Sequence, residues 1–81
     1  MAEFTANGET YTQHYRKPAK FRGGCSVVMG KQDTDGKYYM GCLNDNTQTW
    51  IGNPTVLDPA TEGGDEEARV AAAAVWKITQ A

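Results

Sequence analysis

The sequence predicts an α+β fold: an antiparallel meander of three to four strands packed against one C-terminal α-helix. Three observations predict it. Two apolar, β-prone runs, GCSVVMGKQ and KYYMGCLN, flank Asp33-Thr34-Asp35-Gly36. Aspartate and glycine between two such runs are a hairpin signature. Further strand-like stretches lie on either side, at residues 11–16 and 47–52. Finally, EEARVAAAAVWKITQ is rich in alanine, the strongest helix former. Strands followed by one helix argue for a sheet with a helix on one face.

Residues 1–10 carry one large apolar side chain, Phe4, and read as a loose start or a short edge strand. YTQHYR, residues 11–16, is rich in β-formers. Strand alternation places Tyr11, Gln13 and Tyr15 on one face, and Thr12, His14 and Arg16 on the other. Pro18 ends that strand, and residues 16–22 read as a basic loop.

In the central hairpin, Gly36 supplies the positive φ that closes the turn. A turn centred on Thr34 and Asp35 sets Met29 opposite Met40, Val27 opposite Cys42 and Cys25 opposite Asn44. One face then carries Cys25, Val27, Met29, Tyr38, Met40 and Cys42. The other carries Val28, Tyr39 and Leu43. Both faces are partly apolar.

Asn44-Asp45-Asn46 reads as a second turn, and residues 47–52 as a strand ended by Asn53-Pro54. Residues 53–64 read as a loop in which Asp58-Pro59 caps a single helical turn. Asp65 is placed to cap the helix over 65–80, with Glu66 and Glu67 favourable to its dipole. Ala71, Ala74, Val75 and Ile78 recur at helical spacing, with Val70 beside them, as the sheet-facing stripe. Trp76 lies about 140° round the helix from Ala71 and so outside that stripe. One helix covers one sheet face. Tyr39, Leu43 and Trp76 are therefore candidate partner contacts, because uncovered aromatic area marks interfaces.

At 81 residues the chain is one domain, 1–81. A chain this small buries only about 60% of its unfolded surface, which excludes a deep cleft between large layers. With 40% hydrophobic residues and a net charge of -2, disorder is also excluded. No apolar run approaches the roughly 20 residues of a membrane span. The first residues lack a secretory pattern, so a cytoplasmic location is expected, in a host cell if the chain is phage-encoded. Charge is uneven. Residues 1–37 hold Arg16, Lys17, Lys20, Arg22, Lys31 and Lys37 against four acids; residues 38–81 hold Arg69 and Lys77 against six. A dipolar molecule follows, with a field able to steer a charged partner.

The motifs for chemistry are weak. His14, Cys25 and Cys42 lack the paired spacing of zinc ligands, so no metal or cofactor is expected. The two cysteines are too few for a disulfide framework, and the register puts them diagonal to each other rather than opposite. Asp33-x-Asp35-Gly36 has its glycine too early for a calcium loop and no closing glutamate. A single histidine and no nucleophile elbow argue against an enzyme.

Function is therefore expected to be contact. The leading expectation is a non-enzymatic protein-binding module that uses Arg16, Lys17, Lys20, Arg22, Tyr39, Leu43 and Trp76. Its partner would be a host protein or protein–nucleic acid complex. A self-associating virion or assembly subunit is an alternative. A nucleic-acid binder using residues 16–22 is another, since cations interleaved with Tyr15 and Phe21 suit a single strand. The sheet-then-helix order resembles the latter half of a double-stranded-RNA-binding domain. However, that family has a helix before the sheet, and lysines where Asp65-Glu66-Glu67 stands here. No motif carries a named family. By size and architecture alone the chain resembles small phage and mobile-element proteins, anti-CRISPR inhibitors among them, which implies an inhibitor that blocks a host complex.

Overall fold

Antiparallel pairing runs through five strands in chain order: β1 (Glu3–Ala6), β2 (Glu9–Pro18), β3 (Cys25–Gln32), β4 (Tyr38–Asn44) and β5 (Thr49–Leu57). A short helix, α1 (Pro59–Glu62), and a long one, α2 (Asp65–Gln80), follow. This computed structural model describes residues 2–20 and 23–80, with the main chain alone for 78–80.

The sheet has one strand more than the expected three to four, the short edge strand β1, and its last strand runs longer than expected. Asn7-Gly8 makes a two-residue turn with φ of 51° and 81°, so β1 folds back on β2. At the other end Pro54 does not stop β5. The register shifts between Met40 and Cys42, and the extra residues opposite Gly41 form a bulge. Proline is tolerated there because β5 is an edge strand. Residues 53–57 are thus strand rather than loop. The rest of that stretch holds α1, whose cap is as expected: Asp58 Oδ1 accepts from Ala60 N–H at 2.9 Å, with Pro59 behind it.

The β3–β4 register matches the expected pairs, Met29 with Met40, Val27 with Cys42 and Cys25 with Asn44. Gly36 has φ of 70° at the turn. Neither cysteine is in a disulfide.

The β2 faces differ from simple alternation. Gln13 pairs with Gly30 and Tyr15 with Met29, so His14 is an extra residue in a bulge. A bulge reverses the alternation beyond it. Tyr11 packs with Val28 and Leu43, whereas Tyr15 turns to the helix.

Both faces of the sheet are covered. On one, Val27, Met29, Tyr38 and Met40 pack against Ala68, Ala72 and Trp76 of α2. On the other, the β1–β2 hairpin curls over, and Phe4, Ala6 and Tyr11 pack with Val28 and Leu43. Phe4 stacks on Tyr11 at 4.8 Å, and Trp50 meets both rings edge-on. Gly30 makes that curl possible. A Cβ there would lie 2.6 Å from the Phe4 ring and 2.7 Å from the Thr12 carbonyl.

The helix stripe is also corrected. Ala68, Ala72 and Trp76 are buried at i, i+4 and i+8. Ala74 and Val70 are exposed and Ala71 is half-buried; the Ile78 side chain lies outside the described residues. An alanine-rich helix has little apolar contrast, so its largest ring sets the rotation. Nor does Asp65 cap α2. Ala68 N–H donates to the Gly64 carbonyl, while the Asp65 carboxylate accepts from Lys31 Nζ at 2.6 Å and from the Tyr38 hydroxyl at 3.1 Å. Among the described residues no helix is long and apolar enough to cross a membrane.

Candidate functional site

The basic segment lies where β2 ends. Arg16 pairs with Val28, beyond the bulge, and its Nη2 donates to Asp45 Oδ1 at 2.7 Å. Ser26 Oγ donates to the same carboxylate at 2.9 Å. Asp45 thus offsets the Arg16 charge and ties β2 to the β4–β5 turn. Lys17 pairs with Val27, whose side chain faces the helix, so Lys17 shares the face of Tyr15. Lys17 and Lys20 are both exposed. Among the described residues neither has an acid at ion-pair distance. Ala19 anchors the segment between them: its N–H donates to the Cys25 carbonyl at 2.9 Å and its methyl packs on the core. Arg22, expected in the same cluster, lies outside the described residues.

Tyr15 joins this end of the sheet to the end of the helix. Its ring, 39% exposed, stacks on Trp76 at 5.3 Å. Trp76 near the C-terminal end of α2 thus lies against β2, and the residue after it, Lys77, is exposed. Tyr15 was expected beside the basic run; its stacking on Trp76, and with it the approach of the C-terminal end of α2, was missed. The signal was the aromatic pair, hidden by the unforeseen bulge.

Around the start of α2, at the other end of the helix, the nearby cations are paired. Lys31 pairs with Asp65, Lys37 with Asp58 at 3.9 Å, and Arg69 with Glu66. The hydrogen bond from Lys31 holds the Asp65 carboxyl below its usual range. Burial, reinforced by the Asp65 hydrogen bond, pushes Tyr38 up to about 12. His14 sits 5.4 Å from the Tyr38 ring, and desolvation, with Arg69 adding, lowers its pKa.

Three expected contact residues behave differently from the lysines. Leu43 is 1% exposed and Trp76 6% exposed. Both are core, because the sheet curls over one and the helix rotates the other inward. They offer a partner no surface. Tyr39 is half-buried, with its ring against Tyr11 and Trp50. Its hydroxyl donates to Asp35 Oδ2 at 2.6 Å, which, with burial, pushes its pKa up to about 12. Gln32 completes this network. Its amide oxygen accepts from the Tyr11 hydroxyl at 3.0 Å and its nitrogen donates to Asp35 at 2.9 Å.

A cleft of about 340 Å³ opens between β1 and the β4–β5 turn. Phe4 and Leu43 line it, with Glu3, Thr5, Arg16 and Asp45 among its polar walls. Among the described residues no three metal-ligating side chains come together.

No known relative emerges. No family model matches the chain, no curated protein matches it, and no solved structure matches its fold. The functional reading therefore rests on the chain's own surface.

Proposed function

We propose that this chain is a small non-catalytic protein-binding module that docks its basic end on an acidic surface of a partner protein. One observation carries the reading. Arg16, Lys31, Lys37 and Arg69 are each paired with a carboxylate, whereas Lys17, Lys20 and Lys77 are exposed with none at ion-pair distance among the described residues. A surface that neutralises its other cations but leaves these unpaired is suited to an external counter-charge. Tyr15 adds a half-open aromatic ring beside them, a residue type enriched at hot spots. A module of this size acts by occupying a surface, and an inhibitor that blocks a host complex needs no more than that.

The charge count favours a protein partner over nucleic acid. A few lysines neutralise only a few phosphates, and the chain as a whole carries -2. Self-assembly through an open sheet face loses its basis, since helix and hairpin cover the two faces.

Fluorescence anisotropy with a labelled glutamate-rich peptide tests the reading. Salt-sensitive binding is expected, weakened about fivefold in a Lys17→Ala/Lys20→Ala variant. Tighter binding to a single-stranded oligonucleotide of equal charge would instead support the nucleic-acid alternative.

A further inference from the structure

We propose that the open edge of β1 takes up an extended segment of a partner protein as an added strand, with a basic side chain of that segment set against Glu3. This site is separate from the basic end, and either can fail without the other.

The backbone of β1 points to it. Gln13 N–H donates to the Ala2 carbonyl at 2.9 Å. Bonded and non-bonded pairs alternate in an antiparallel ladder. Phe4–Tyr11 and Ala6–Glu9 are then the bonded pairs, which also suits the two-residue turn at Asn7-Gly8. Glu3 and Thr5 consequently aim their N–H and C=O groups away from β2. Among the described residues no backbone group pairs with them. Such a row is the template on which an extended peptide adds.

The cleft lies along this edge, and its volume falls at the lower end of the range for ligand sites. Phe4 and Leu43 lie buried beneath it, and the surface it presents is mainly polar. On its walls Arg16 and Asp45 offset each other at 2.7 Å. Glu3 is exposed and has no ion pair among the described residues. The uncompensated charge is negative, so the complementary segment carries a lysine or arginine. The opposite edge of the sheet suits no such guest, because Gly52-Asn53-Pro54 bulges it and Pro54 has no N–H to offer. A second copy is a poor occupant. Two four-residue strands side by side fall well short of the roughly 1,200 Å² of a stable dimer.

The probe is a labelled peptide of alternating valine and lysine, with a valine–glutamate peptide as control. Amide exchange read by NMR is expected to slow by about tenfold at Glu3 and Thr5 when the lysine peptide is added. Thr5→Pro removes one outward N–H and leaves the β1–β2 bonds intact, so it weakens binding about fivefold. Glu3→Lys reverses the preference between the two peptides, and it carries the test if Thr5→Pro fails to fold. Unchanged exchange at these amides under saturating peptide would overturn the proposal. So would exchange that slows with protein concentration alone, since the occupant would then be a second copy.

Discussion

Asn7 and Gln48 hydrogen-bond across the chain, from the turn of the first hairpin to the start of the last strand. Asn7 N–H donates to the Gln48 carbonyl at 3.0 Å. They are also the two non-glycine residues with positive φ among those described, 51° and 57°. The Asn7 side chain adds a second tie, its Oδ1 accepting from Trp50 N–H at 2.9 Å. These bonds hold the curl that buries the Phe4–Tyr11–Trp50 cluster.

Asn7→Ala should therefore cost about 2 kcal/mol. It loses one hydrogen bond and forces an L side chain without local support into the left-handed region. Asn7→Gly keeps the backbone freedom and should cost about half as much. Urea unfolding of both variants measures the difference.

Trp76→Ala should cost about 3–5 kcal/mol, the range for a large buried ring. An 81-residue chain holds roughly 4–12 kcal/mol in all, so the variant sits near unfolding at room temperature. Thermal melts followed by circular dichroism read this. A variant that melts normally would return Trp76 to the surface.

Gly30→Ala should cost about 1–3 kcal/mol through overpacking, because the new methyl meets the Phe4 ring and the Thr12 carbonyl. A compensating Phe4→Leu should recover part of the loss, and the double-mutant cycle in urea detects that coupling.

The pairing of β3 with β4 was legible residue by residue, since two alternating runs around one glycine turn admit a single register with consistent faces. The first hairpin was not read, although its signal was present. Asn-Gly is the strongest short hairpin signal, yet sparse apolar content around it made residues 1–10 look loose. The His14 bulge carries no mark in the sequence, and it alone decides that Tyr15 meets Trp76 rather than Tyr11. Rotation of an alanine-rich helix is likewise a tertiary property. At the site, Lys17 and Lys20 were visible within a basic run, whereas Lys77, on the far helix, was not. The burial of Leu43 and Trp76 was not visible either, because it depends on how the sheet curls and how the helix turns.

Alkaline pH should unfold the chain within a defined window. Tyr38 and Tyr39 are raised from 10.0 to about 12. A raised folded pKa means that the folded state holds these protons more tightly. The stability this contributes is complete below pH 10 and is lost as pH rises through about 12. Tyrosinate absorbance should show two of the four tyrosines ionising near 12, and Tyr38→Phe and Tyr39→Phe should each remove one.

The most direct measurement of the central claim is a ¹⁵N NMR titration with the glutamate-rich peptide at low and high salt. The account predicts shifts clustered at Tyr15, Lys17, Lys20 and Lys77 that fade as salt rises. Shifts confined to the Asp58–Glu67 end, or none at all, would contradict it.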